Sequence, residues 1–229
     1  MDITPYQEFA KKVLGVEFNN IDLLITAFTH RSYVNEHRKT AKEHNERLEF
    51  LGDAVLELVA TQFLFANYSD PEGILTNWRS ALVRTESIGA AAARNNFEPL
   101  LRLSRGEKRG TDRARAQILA NSYEAVVGAL YLDQGYDAAS KFIHETLLTT
   151  FEEILKTGSW MDPKSHLQEI VQSKEGHTPV YKVLSEEGPD HDKVFTVGVF
   201  VDGKLKGQGV GPSKQTGQVA AAEAALKSY

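Results

Sequence analysis

Asn45–Ala60, "NERLEFLGDAVLELVA", sets three carboxylates, Glu46, Glu49 and Asp53, into a segment that is otherwise apolar at helical spacing. At about 100° per residue these acids fall within roughly 60° of one another on a helical wheel. Leu48, Leu51, Val55, Leu58 and Val59 fall on the opposite side, facing a core. Phe50 and Leu56 flank the acids, where a solvated face would carry polar groups. The spacing therefore predicts a mostly buried helix with its acids in a cleft. Like charges at i, i+3 and i+4 repel, and burial raises that cost unless a cation is bound. Two readings stay open on spacing alone. The acids form a solvated face paired with Arg47 and other bases, or they hold a hard divalent cation, which takes oxygen ligands.

A second strip, "ANSYEAVVGALYLD", offers a partner for the cation reading. Asn121 and Glu124 are i and i+3, neighbours on one helical face. Gly128 continues that face and would let another helix approach closely. Two helices, each with two oxygen donors, could cage an ion between them. The plainer alternative is that Asn121 and Glu124 are surface polar residues and that Gly128 serves packing.

The rest of the first two-thirds of the chain is also helical in pattern. "PYQEFAKKVLG", "NIDLLITAFTH", "GILTNWRSALVRTESIGAAAARN" and "AASKFIHETLLTTFEEILK" place apolar residues at i, i+3, i+4 and i+7. Gly15, Gly135 and Gly158 read as helix stops. After the turn-rich "TGSWMDP" the pattern changes. "PKSHLQEIVQSKEG" is an amphipathic helix. "PVYKVLSEEG" and "KVFTVGVFVDGKLKGQGVG" read as strands, with Phe195, Val197, Val199 and Val201 at period two. Asp202-Gly203 signals a hairpin. "SKQTGQVAAAEAALKSY" closes as a helix with Ser213 as N-cap. The expected fold is thus two domains, an all-α domain over 1–157 and a small α+β domain, α-β-β-β-α, over 163–229.

Bulk composition narrows the chemistry. The 229 residues, 41% hydrophobic and 25% charged, are those of an ordinary globular protein. There is no cysteine, which excludes disulfides, zinc–cysteine sites and thiol catalysis and fits a reducing, cytoplasmic compartment. No segment has the length of a membrane span, and the N-terminus lacks the apolar run of a signal peptide. A net charge of -5 gives no basic footprint of the kind nucleic-acid binding usually leaves.

Despite that charge, "HNERLEFLGDAVL" resembles the signature of the ribonuclease III endonuclease domain. "FTHRSYVNE" (Phe28 to Glu36), "EGILTNWRSALV" (Glu72 to Val83) and "ILANSYEAVVGALYLD" (Ile118 to Asp133) are similar to its other motifs, in the same order. The stretches "PKSHLQEIVQ", "TPVY", "GPDHDKVFTVGVFVDG", "GQGVGPSK" and "AAAEAAL" resemble a double-stranded RNA-binding domain. The resemblance spans essentially the whole chain. It implies a homodimeric enzyme that uses magnesium, with manganese as a substitute, to cut double-stranded RNA, ribosomal RNA precursors among its substrates. The ends would be 5′-phosphate and 3′-hydroxyl, staggered to leave a short 3′ overhang. By motif match Glu49, Asp53 and Glu124 fall on metal-site carboxylates, with Asn121 at a fourth metal position. Glu46 and Glu72 match acids also linked to the catalytic region. RNA contacts fall on Gln168, Glu169, Gln172, His191 and Lys214.

Two departures bear on activity. The family usually carries aspartate where this chain has Asn121, so the site loses a unit of charge. A double-stranded RNA-binding protein with weakened or absent cleavage is therefore the alternative to a working enzyme. The last helix usually begins with a lysine pair, and here Gln215 follows Lys214. Residues 163–229 hold eight lysines, no arginine and eight acids, which is why bulk charge conceals an RNA-binding function. Duplex RNA is read by shape, 2′-hydroxyls and phosphates, for which a few placed groups suffice.

Overall fold

A computed structural model describes residues 2–189 and 193–229 and divides the chain into two compact units, Met1–Lys156 and Thr157–Tyr229. The first is helical: α1 (Thr4–Phe9), prolonged by a π-helical turn (Ala10–Leu14), α2 (Ile21–Ala27), α3 (Arg31–Glu36), α4 (Glu46–Asn67), α5 (Glu72–Val83), α6 (Thr85–Arg94), α7 (Asp112–Gln134), α8 (Tyr136–Thr146) and α9 (Phe151–Thr157). The turn after α1 ends at Gly15, whose φ of 69° is the left-handed conformation that a Cβ would penalise.

Helix α7 is the axis of this unit. Ile118 to Ala120, Tyr123 and Ala125 to Leu130 are all buried, as expected of a helix that is apolar nearly all round. Its partners are α4, α6, α8 and α2. Phe9, Phe28, Phe97 and Phe142 extend the core around Tyr123 in a run of edge and stacked contacts. The buried Tyr123 hydroxyl is satisfied by Thr146 Oγ1 at 2.7 Å, as burial of a polar group requires. One end of α7 is capped and the other is tied to a distant segment. Thr111 caps its first turn by accepting from Ala114 N–H. At the other end Asp133 accepts from the backbone N–H of Asn19 and of Asn20, each at 2.8 Å.

Two expectations need correction. The stretch 73–95 is not one helix. Arg84 is extended (φ -69°, ψ 153°) and separates α5 from α6. Ser87 Oγ donates to the Ala81 carbonyl at 2.7 Å, so a side chain takes over one acceptor left orphaned at the end of α5. Nor is α4 buried as its wheel suggests. Leu56 is buried, but Phe50 is 81% exposed, Leu58 51% and Phe65 81%. Only part of its apolar surface faces the core.

The second unit carries α10 (Pro163–Glu175), β1 (Val180–Glu187), β2 (Val194–Val201), β3 (Lys204–Gly211) and α11 (Lys214–Leu226). The three strands form one antiparallel sheet in the order β1-β2-β3. Asp202 and Gly203 both take positive φ, 48° and 72°, the turn that matches the twist of a tight β2–β3 hairpin. Period two in β2 sends Val197, Val199 and Val201 inward, and Val199 and Val201 meet Leu167 and Val171 of α10 and Ala221, Ala222 and Ala225 of α11. Ser213 caps α11 in a reciprocal capping box with Thr216. Among the described residues no helix is long and apolar enough to cross a membrane.

Candidate active site

Helices α4 and α7 touch through two glycines. A Cβ on Gly52 would overlap the carbonyl oxygen of Glu124, and one on Gly128 would overlap that of Leu48. With no side chains at the crossing, the backbones come close enough for polar groups on the facing turns to meet. On α4 these are Glu49, one turn before Gly52, and Asp53, directly after it. On α7 they are Asn121 and Glu124. Gly128 was legible in the sequence as a point of close approach. Gly52 was not singled out, although a small residue beside an acid is the same signal.

Electrostatics shows that these groups feel one another. Glu124 is pushed up to about 8, first by burial, then by the charges of Asp53 and Glu49. Burial and the Glu46 charge push the Glu49 carboxyl up, with a smaller rise from Asp53, while a hydrogen bond from the Asn121 side chain opposes them. Asn121 Oδ1 in turn accepts from Gln117 Nε2 at 2.7 Å. Gln117 went unnoticed in the sequence. Its only trace there is the i, i+4 spacing to Asn121.

The other two expected acids lie at the surface, Glu46 close enough for its charge to act on Glu49. Glu46 lies in the first turn of α4, where the helix dipole favours a carboxylate. It is exposed and has its own partners, Arg31 at 3.7 Å and His44 at 3.8 Å. Glu72 is exposed at the first residue of α5 and takes no part in the coupling of Glu49 and Glu124.

Glu49, Asp53 and Glu124 fit a hard divalent cation. They offer only oxygen, the partly buried Glu49 and Glu124 feel the charge of the exposed Asp53, and among the described residues none of the three has a lysine or arginine in ion-pair contact. A cation would relieve that repulsion. No three His, Cys, Asp or Glu side chains among the described residues converge as a finished cage, so closing on an ion would require side-chain rotation.

In the second unit Gln168, Glu169 and Gln172 are exposed on α10, opposite the buried Leu167 and Val171. Lys214 is the first residue of α11, where backbone N–H groups and the helix dipole favour a phosphate. Its Nζ is 3.2 Å from Glu186 and 5.7 Å from the Phe195 ring centroid. His191 lies outside the described residues.

Comparison with known proteins agrees with both units. Residues 20–151 match the family model described as Ribonuclease-III-like, and residues 163–229 match the double-stranded RNA binding motif. Ribonuclease 3 of Enterococcus faecalis is 44% identical over 222 residues, 95% of each chain. Ribonuclease 3 of Geobacillus thermodenitrificans is 45% identical over 227 residues, 97% of this chain and 90% of that one. The nuclease domain of ribonuclease III from Campylobacter jejuni, in a structure concerned with a region involved in dimer formation, is 34% identical with a TM-score of 0.57. It covers 63% of this chain and 98% of its own. With both units matched in order and relatives aligned over nearly the full length, the chain belongs to the ribonuclease III family of double-strand-specific endoribonucleases.

Proposed function

We propose that this chain hydrolyses phosphodiester bonds of double-stranded RNA, ribosomal RNA precursors among them, in a divalent-metal-dependent reaction at the α4–α7 crossing. The observation that carries the reading is the coupling of Glu49, Asp53 and Glu124 across two helices that touch through glycine. Glu49, Asp53 and Glu124 would hold the ion, magnesium or manganese in its place. When bound, a divalent cation supplies a water acidified toward hydroxide and charge relief at the phosphate. The chain's own part is positioning. The glycine contact fixes the spacing of the two helices, and with it the spacing of the carboxylates. Glu124 keeps its carboxyl proton up to about pH 8 in the metal-free protein, so taking up the ion means releasing that proton. Glu46, paired with Arg31, forms the outer wall of the site, and Glu72, exposed at the start of α5, serves the catalytic region from outside the helix crossing. The products carry 5′-phosphate and 3′-hydroxyl ends.

Lys214, Gln168, Glu169 and Gln172 contact the duplex, lysine at phosphate and the α10 side chains across the minor groove. The enzyme works as a homodimer in which each copy cuts one strand. Phe50 stands 81% exposed beside a hollow lined by Leu23, Leu48, Leu51 and Leu132. A projecting ring at a hollow that combines these leucines with charged groups of both signs, Lys42, Arg47, Glu43 and Glu46, is self-complementary, which a two-fold interface requires.

The test is to add magnesium to a complex of the protein with a long RNA duplex and to characterise the ends of the fragments. Glu124→Gln and Asp53→Asn should bind the duplex and leave it whole. Binding without fragments by the unaltered protein at every magnesium concentration would sink the proposal. The alternative, a binding protein without cleavage on account of Asn121, is not favoured, because the other acids are all in place.

A further inference from the structure

In the second unit the candidate RNA contacts stand on two helices, and one further lysine lies where those helices meet. Lys164 is the second residue of α10, one turn before Gln168 and two before Gln172. Its Nζ donates to Oε1 of Gln218 at 2.7 Å. Gln218 follows Lys214 by one turn of α11. Steps of four residues stay on one side of a helix, so Lys164 extends the row of Gln168, and Gln218 that of Lys214. At the far end of α10, Lys174 donates to the Tyr229 carbonyl at 2.6 Å, just past the end of α11. The two helices therefore run side by side in the same direction, with their first turns together. Lys164 joins the polar row of α10 to that of α11.

Charge distinguishes the two lysines of this surface. Lys214 Nζ is 3.2 Å from Glu186, so its charge is already compensated in part. Lys164 has neutral partners only, the Gln218 amide oxygen and the Tyr181 ring, whose centroid is 5.1 Å from Nζ. Asp162, two residues away, is occupied with capping: its Oδ1 accepts from the N–H of Lys164 at 3.1 Å and of Ser165 at 3.0 Å. Among the described residues no carboxylate lies within ion-pair distance of the Lys164 ammonium. An ammonium has three N–H donors, of which Gln218 takes one. Lys164 is half-buried, so its stem is already ordered. A cation held in place before it meets its ligand loses little freedom on binding.

We propose that Lys164 is a second phosphate contact for duplex RNA, held at the junction of α10 and α11 by Gln218 and Tyr181, and that it supplies the cation that Gln215 does not. The proposal rests on the reading of this unit as the one that binds the duplex.

The test is binding of a long RNA duplex to the full-length protein in EDTA, followed by fluorescence anisotropy over a range of salt concentrations. Lys164→Met keeps the stem over Tyr181 and removes the charge. Gln218→Met removes the same hydrogen bond and leaves the charge. If Lys164 meets a phosphate, Lys164→Met should weaken binding about fivefold at low salt and lower the salt slope by about one. Lys164→Arg should keep the original slope, since a guanidinium also binds phosphate. Gln218→Met should keep it too, because the cation is still present. A purely structural lysine behaves otherwise. Lys164→Met and Gln218→Met would then lower the unfolding temperature alike and leave the slope alone. An unchanged slope in Lys164→Met overturns the proposal, whatever its unfolding temperature. A slope lowered equally by Gln218→Met also overturns it, in favour of loosened packing between the helices. Failure of the duplex-binding reading itself looks different. Lys214→Ala would then leave the slope unchanged as well, or the unaltered protein would not bind the duplex, and the proposal would fall with it.

Discussion

Replacing Gly52 by alanine should damage fold and site together, and the size of the effect follows from the contact. A Cβ at Gly52 would lie 2.6 Å from the Glu124 carbonyl carbon and 2.8 Å from the Gly128 nitrogen, where ordinary contact begins at 3.4 Å. Both obstacles are backbone of α7 and have no rotamer to escape into, so the helices must part by about 1 Å. Overpacking of a core costs about 1–3 kcal/mol, and with backbone on both sides the upper figure applies. At about 2–4 °C per kcal/mol for a unit of this size, the unfolding temperature should fall by about 6–12 °C. A displacement of about 1 Å at a reacting centre costs on the order of 100-fold in rate. Differential scanning calorimetry and single-turnover duplex cleavage measure the two effects on one preparation. Gly73→Ala is the control. Nothing lies within 4 Å of a Cβ there, and Gly73 is inside α5, so alanine should stabilise by up to about 1 kcal/mol. A Gly52→Ala protein with unchanged unfolding temperature and cleavage rate would refute the claim that the glycine contact sets the site.

Three further outcomes are expected. Folded Glu124 holds its proton up to about 8, whereas an unfolded glutamate loses it near 4.5. Its contribution to stability is complete below the unfolded value and is lost as pH climbs through the folded one. In EDTA, stability should therefore fall from about pH 5 to about pH 9, by on the order of 2 kcal/mol after solvent screening, and Glu124→Gln should flatten the denaturant-midpoint profile over that window. Phe50→Asp should raise the dimer dissociation constant about 30-fold or more, read by light scattering across a dilution series. Lys214→Ala should weaken duplex binding and lower its salt slope by about one, while Glu186→Gln, which frees Lys214, should tighten it about threefold, both by fluorescence anisotropy.

Much of the fold was legible because local chemistry and tertiary structure agree. Period two in β2, the Asp202-Gly203 turn and the Ser213 cap each have one physical reading, and each is present. The break at Arg84 was not legible, because an extended arginine carries no glycine or proline to mark it. Leu58 and Phe50 misled for another reason. A helical wheel sorts residues into faces, but it does not say which apolar face meets the core of its own chain and which stays at the surface. At the site, Glu49, Asp53 and Glu124 could be picked out from spacing and resemblance together. The Gln117–Asn121 hydrogen bond could not, since it depends on which way an amide is turned.

The two ties on α7 have a mechanical consequence. The helix is a beam held near its start by the Arg115–Glu98 pair at 3.1 Å, held at its end by Asp133, and clamped between them where Gly128 meets α4. Such a beam can neither slide along its axis nor roll. In the proposed reaction the charge at the crossing changes each time an RNA backbone arrives and leaves, and the strain of that change must be taken up by side-chain torsions. These relax in picoseconds to nanoseconds, far faster than sliding of packed helices. On that reading the site can reset between turnovers without moving its scaffold.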